Sequence, residues 1–118
     1  MMLAFTYGTL MKGQCREHVM DNCRYIGDAI LNGYGLLELG NYPGAVPMDG
    51  YRVFGEVYEI DEDKKIELDE IEGEGYLYAY READVDMDGK LIKAGFYEYL
   101  LDNGTYQTME PTGKWRKH

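Results

Sequence analysis

The chain has 118 residues, 45% of them hydrophobic and 14% aromatic, a composition that suits one folded domain over residues 1–118 and excludes a disordered segment. Its formal net charge of −10 repels phosphate backbones, and Lys114, Arg116 and Lys117 sit in a short tail that reads as a solvated terminus, so nucleic acid is excluded as a partner. Met1–Tyr7 lacks the basic and apolar regions of a signal peptide and no run is long enough to span a bilayer, so the expected location is the cytoplasm, away from the membrane.

In chain order, Leu3 to Tyr7 reads as a short buried strand ending at Gly8. Met11, Cys15, Val19 and Cys23 recur every four positions, which predicts a short helix from about Lys12 to Tyr25, with Gly27 ending that stretch. Cys15 and Cys23 have no CxxC spacing and read as two free thiols; with His18 they are too few for a zinc site. Ala29 to Leu39, apolar with two internal glycines, predicts a bent or bulged strand. Asn41-Tyr42-Pro43-Gly44 and Asp49-Gly50 read as turns, the second leading into an alternating strand over Arg52 to Ile60. Asp61 is placed to cap a helix running through Ile71, with Glu62 and Asp63 in its first turn and Gly73 at its C-cap. Tyr78 to Val85 and Leu91 to Leu101 read as strands joined by a hairpin at Asp88-Gly89, and Asn103-Gly104 suggests a last short strand near Tyr106. The predicted class is α+β: a small mixed, strongly curved β-sheet or barrel with two short helices.

Three segments carry candidate chemistry. A strand ending in glycine and a hydroxyl residue, as in Tyr7-Gly8-Thr9-Leu10, leaves backbone N–H groups pointing outward, a nest for a carboxylate or a developing oxyanion. In Leu68-Asp69-Glu70-Ile71-Glu72-Gly73, Glu72 falls at the negative end of a helix dipole, a placement that favours its protonated form and suits an acid/base near neutral pH. The rigid apolar turn Asn41-Tyr42-Pro43-Gly44-Ala45-Val46 is placed to wall a pocket. Taken singly, each also fits a bland reading: a simple turn, one solvated acid among 22 acidic residues, a surface loop. Asp84-Val85-Asp86-Met87-Asp88-Gly89 has the opening of a calcium loop. Its twelfth position is Gly95 where a bidentate glutamate is wanted, and the alternation around Asp88-Gly89 favours a hairpin. The register that starts at Asp61 does reach Glu72, but it has Lys65 and Ile66 where an oxygen ligand and a glycine belong.

The order of the pieces is more specific than any of them: Tyr-Gly-Thr-Leu, Tyr-Pro-Gly-Ala-Val, Val53-Phe54-Gly55-Glu56-Val57-Tyr58-Glu59-Ile60, Leu68-Asp69-x-x-Glu72-Gly73, then an aromatic-rich strand with Arg81. From about residue 4 to residue 99 this resembles the γ-glutamylcyclotransferase-like family, in particular its compact members related to γ-glutamylamine cyclotransferase and to AIG2. The resemblance implies a site in which Tyr7, Gly8, Thr9 and Leu10 bind the glutamyl part of a substrate and Glu72 is the catalytic acid/base. It also implies Tyr97 facing the pocket and a structural role for Arg81, paired with a buried acid. The family commonly has Tyr-x-Arg, whereas Ala79 stands two before Arg81 here, which weakens any role for Tyr78 and Tyr80. The implied reaction is cyclisation of a small γ-glutamyl amine or peptide to 5-oxoproline, with no metal or organic cofactor. Nothing in the residues themselves demands more than a monomer, so a monomer or weak homodimer is expected. The alternatives are a non-catalytic module that binds a small ligand on the same fold, and a biosynthetic member that removes a γ-glutamyl group from a larger amine.

Overall fold

Alternating apolar residues in strands joined by short connections produce a closed sheet. The computed structural model describes residues 2–8, 17–38, 43–72, 74–75 and 77–100. Its elements are β1 (Met2–Thr6), β2 (Arg24–Glu38), β3 (Pro43–Ile60), α1 (Glu62–Glu72), β4 (Tyr78–Met87) and β5 (Lys90–Tyr99). The strands form a barrel in the order β1-β3-β2-β4-β5, which closes where β5 meets β1 in parallel, with Ala4 opposite Gly95. β5 also runs parallel to the start of β3, with Ala45 opposite Glu98, while the β1–β3, β2–β3, β2–β4 and β4–β5 pairs are antiparallel. The result is the small α+β barrel expected from the residues. Among the described residues no helix is long and apolar enough to cross a membrane.

Because side chains alternate across a strand, each strand supplies two apolar faces. One face fills the barrel with Phe5, Leu31, Val53, Val57, Val85 and Phe96, contributed by all five strands. The other face carries Ala4, Tyr58, Ile60, Tyr78, Tyr97 and Tyr99 and is covered by Leu68 of α1 together with Met20. β3 therefore reads as nearly continuous burial over Val53–Ile60, with both faces covered.

Several local expectations require correction. The helix placed over Lys12 to Tyr25 does not reach Tyr25: Glu17–Met20 is a single 3-10 turn, closed by Cys23 N–H donating to Met20 O at 2.9 Å. Arg24 and Tyr25 are instead claimed by the ladder with Glu59 and Tyr58 of β3, an interaction that a local four-residue recurrence does not register. Residues 12–16, Cys15 among them, lie outside the described residues, and Cys23 is a free thiol. Gly27 ends nothing, being a register shift inside β2. Pro43 and Gly44 open β3 and do not form a turn, while Asn41 and Tyr42 lie outside the described residues. Asp49-Gly50 does not reverse the chain either. The β2–β3 ladder slips between Asn32–Arg52 and Tyr34–Pro47, and Gly50 at φ 82° faces Gly33 at φ 84° across that irregularity. The turn chemistry is spent on a bulge that bends both long strands, as expected for β2. The Asp88-Gly89 hairpin is present, with φ 55° and 85° at the two turn residues and Asp86 Oδ1 accepting the Gly89 N–H at 2.7 Å. The calcium-like run is thus the end of β4 and its turn, and its rival register lies in α1. The strand expected near Tyr106 lies outside the described residues.

Two glycines test how tightly the barrel is packed. A Cβ on Gly55 would stand 2.2 Å from the Thr6 carbonyl oxygen and 2.7 Å from the Phe5 ring, so backbone would have to move. A Cβ on Gly27 would meet only the Met87 Cε, at 2.6 Å, the far end of a flexible side chain. Gly55→Ala is therefore expected to cost about 1–3 kcal/mol in chemical denaturation, as overpacking does, and Gly27→Ala distinctly less. Equal losses would show that the interior yields at Gly55.

Candidate active site

The α-helix is set by its start. Asp61 Oδ1 accepts the Lys64 N–H at 2.8 Å, and Glu62 and Asp63 occupy the first turn, where the dipole favours acids. At the other end Glu74 N–H donates to Asp69 O at 2.9 Å, the six-to-one bond of a Schellman ending; Gly73, the expected C-cap, lies outside the described residues. Lys65, Leu68, Asp69 and Glu72 fall at i, i+3, i+4 and i+7 and so share one face. Leu68, 1% exposed, seats that face on the barrel, and the last turn contains no basic residue.

A cavity of about 190 Å³ lies beside the seam where β1 meets β5. One wall is the strand running from Ala4 through Tyr7 to Gly8, and the opposite wall is Leu68, Ile71 and Glu72 of α1. Pro43, Leu77, Tyr78, Gly95 and Tyr97 complete it. Parallel strands that meet at one register pair leave a splayed gap, and the helix end covers it. Of the residues expected at a site, Tyr7, Gly8, Glu72 and Tyr97 are brought together around this cavity, whereas Thr9 and Leu10 lie outside the described residues. Pro43, from the turn expected to wall a pocket, does line it, packed so close to Gly8 that a Cβ there would stand 3.0 Å from its ring.

The side chains divide by what their polar atoms do. The Tyr7 hydroxyl donates to Tyr97 O and accepts the Ala45 N–H at 3.1 Å, so the end of β1 is tied to both β5 and β3. Burial pushes this phenol far above the ordinary range, with the nearby Glu72 and Glu98 carboxylates adding to the rise against the lowering effect of the Ala45 N–H. Tyr7 therefore stays neutral, its hydroxyl is committed to backbone, and it offers the cavity its ring and its main chain. The Tyr97 hydroxyl pairs with Asp69 Oδ1 at 2.6 Å. Burial raises this phenol as well, followed by the bond to Asp69 and the charges of Asp69, Tyr80 and Glu72. The half-buried Glu72 carboxylate thus lies close enough to act electrostatically on both tyrosines. The Tyr78 hydroxyl donates to Pro43 O at 2.8 Å and joins β4 to the start of β3 under the cavity. Arg81, expected to pair with a buried acid, stands 3.9 Å from Glu98, whose side chain is 17% exposed and also accepts from Tyr34.

Sequence reasoning placed Asp69 in a motif but gave it no partner, and it missed Tyr78 and Leu68 as cavity walls. A signal for Leu68 was present in its spacing with Glu72; the Asp69–Tyr97 contact spans 28 positions and no local pattern announces it.

The chain is similar to known proteins in sequence and in fold. Residues 4–117 match the family described as Gamma-glutamyl cyclotransferase, AIG2-like. The chain is 45% identical over 78 residues to Gamma-glutamylcyclotransferase family protein YtfP of Escherichia coli (strain K12), covering 66% of this chain and 68% of that one. It is 37% identical over 112 residues to Gamma-glutamylaminecyclotransferase of Bos taurus, covering 86% and 66%. In fold it is similar to the crystal structure of an AIG2-like protein from Mus musculus, with a TM-score of 0.83 at 23% identity over 100% of this chain and 96% of that one.

Tyr7→Phe removes one hydroxyl and leaves two buried backbone partners, Ala45 N–H and Tyr97 O, without it. The expected loss is about 1–3 kcal/mol of unfolding free energy, the cost of orphaning a buried polar group, read by equilibrium denaturation. An unchanged midpoint would mean that water replaces the hydroxyl.

Proposed function

We propose that this chain, which belongs to the gamma-glutamyl cyclotransferase, AIG2-like family and is a cyclotransferase-type enzyme, cyclises the glutamyl group of a small γ-glutamyl amine or peptide to 5-oxoproline. The observation that carries this reading is the meeting of Glu72, the Tyr7–Gly8 strand end and Tyr97 around one small cavity. Its volume of about 190 Å³ is below that of drug-sized sites, roughly 300–1,000 Å³, and suits a ligand of glutamyl size.

In the reaction so assigned, the substrate's α-amine attacks its own γ-carbonyl carbon. Glu72 takes a proton from the α-ammonium, freeing the lone pair, and a C–N bond forms as the carbonyl becomes an oxyanion. The ring nitrogen still carries a surplus proton. Glu72 gives its proton to the leaving amine as the oxyanion collapses and the bond to that amine breaks, and the freed carboxylate then takes the ring nitrogen's second proton and passes it to the departing amine, which leaves as an ammonium ion. No water is consumed and no redox change occurs, so proton transfer and positioning are the only chemistry required of the protein, and the reading needs no cofactor. Ring closure depends on holding the glutamyl chain folded, and an enclosed site gains most from such positioning. Backbone N–H groups of the segment from Tyr7 to Leu10 are assigned to the glutamyl carboxylate or the oxyanion. The closely packed Pro43, Leu68 and Ile71 hold the chain's methylene groups.

The test is release of 5-oxoproline from a panel of γ-glutamyl amines and dipeptides. Wild type is expected to release it and Glu72→Gln to do so about 10²–10⁴-fold more slowly, the worth of a positioned acid/base, with an unchanged circular dichroism spectrum. Near-normal turnover by folded Glu72→Gln would take Glu72 out of the role. Silence of the wild type across the panel would remove the reaction.

A further inference from the structure

The face of α1 that carries Glu72 carries a second charged element one turn earlier. Lys65 Nζ contacts both oxygens of Asp69, at 2.8 and 2.7 Å, and lies 4.1 Å from the centre of the Tyr80 ring. Tyr80 in turn packs edge-on against Tyr97 and lies across Gly95, where a Cβ would collide with its hydroxyl. Lys65 and Asp69 are only 22% and 29% exposed, so this is a partly sheltered pair fixed in place from two sides.

The pair determines the polarity of a group in the cavity wall. A carboxylate held by an ammonium ion accepts hydrogen bonds and has none to give. In the 2.6 Å contact between Tyr97 and Asp69 the phenol is therefore the donor. A tyrosine hydroxyl has one proton, and with that proton spent on Asp69 its oxygen offers only lone pairs elsewhere. Tyr97 lines the cavity within electrostatic reach of Glu72. An acceptor beside a carboxylate suits an amine or ammonium group and repels a carboxylate or a carbonyl oxygen. Without Asp69, the same proton would be free to turn toward the cavity and reverse that preference.

We propose that Asp69, neutralised by Lys65, is a positioning residue that holds the Tyr97 hydroxyl as a hydrogen-bond acceptor toward the cavity, where it receives an N–H of the substrate's α-amine. This rests on the cyclotransferase reading of the site and adds to it. Glu72 takes one proton of the α-ammonium, and Tyr97 holds a second N–H so that the nitrogen lone pair is aimed at the γ-carbonyl.

The experiment measures binding and turnover separately. Dissociation constants for γ-glutamyl methylamide are read by calorimetry in Glu72→Gln protein, in which turnover is blocked, with Asp69→Leu, Tyr97→Phe and both added; Leu offers the Tyr97 hydroxyl no acceptor. Each single change is expected to weaken binding about tenfold, the worth of one net hydrogen bond, and the double variant to match Tyr97→Phe alone. Independent losses that multiply to about a hundredfold, or no effect of Asp69→Leu, overturn the proposal. Should Asp69→Leu fail to fold, Tyr97→Phe still decides the matter. It is expected to weaken γ-glutamyl methylamide and spare glutaric acid monomethylamide, which lacks the α-amine, and equal weakening overturns the proposal. Turnover by the wild type separates this from the parent reading. Coupled binding without 5-oxoproline release removes the reaction and leaves the positioning role standing. Release with uncoupled variants removes the positioning role alone, and absence of both binding and release removes both.

Discussion

One phenol hydroxyl holds three strands at the point where the barrel closes. Tyr7 stands just past the end of β1, donates to β5 at Tyr97 O and accepts from β3 at Ala45 N–H. Around it β1 and β5 run parallel and meet in register at Ala4 and Gly95, so the ladder itself contributes little closure there. A buried hydroxyl with both partners in place stabilises modestly, but leaving those partners without it is costly, which makes the joint close to all-or-none. The splay that makes the joint necessary also makes the cavity. Closure and site thus share one cause, the meeting of a short first strand with the last one at an angle that leaves a gap.

The helix fills that gap with a division of labour along one face. Leu68 is the apolar anchor, Asp69 and Lys65 form the polar link to Tyr97 and Tyr80, and Glu72 reaches the cavity. The spacing i, i+3, i+4, i+7 brings all four to the same side. A second link runs outside this face, where Lys64 Nζ donates to Val19 O at 2.7 Å and pairs with Glu67. The 3-10 turn at Glu17–Met20, local and short, thereby supplies a backbone acceptor that helps orient the helix.

How much of this was legible depended on the range of the interaction. The Asp61 cap, the Asp88-Gly89 hairpin and the alternation of β3 are decided within a few residues, and the structure has each where the residues put it. Glu72, Tyr7, Gly8 and Tyr97 follow from the family resemblance that the motif order carries, and they surround one cavity. Long-range pairing overrode local pattern elsewhere. The recurrence of Val19 and Cys23 suggested a continuing helix, yet Arg24 and Tyr25 gain more by pairing with Glu59 and Tyr58. Asp49-Gly50 carries the chemistry of a turn, and only the register of β2 against β3 shows it to be a bulge opposite Gly33. The contacts that specify the site, Tyr7 to Ala45 and Tyr97 to Asp69, join positions with no periodic relation, so no reading of local pattern could have drawn them.

The energetic consequence is that most of the stability resides away from the helix that positions Glu72. The barrel is held by an apolar interior contributed by every strand, with Phe5, Val53, Val57 and Phe96 at 2% exposure or less. The helix buries one residue fully, Leu68, and among the described residues it is also tied outward by the Asp69–Tyr97 and Lys64–Val19 hydrogen bonds and by Lys65 over the Tyr80 ring, contacts of a kind worth about 1 kcal/mol each. Weakening such a link would leave the interior almost untouched and still move Glu72, because the carboxylate sits on the last turn of the same helix. An acid/base must stand within hydrogen-bond reach of the proton it transfers, so a shift of about an ångström in the helix end is felt in the chemistry long before it is felt in the fold. The polar face of α1 is therefore where substitutions separate folding from function, and the dense strand interior is where they do not.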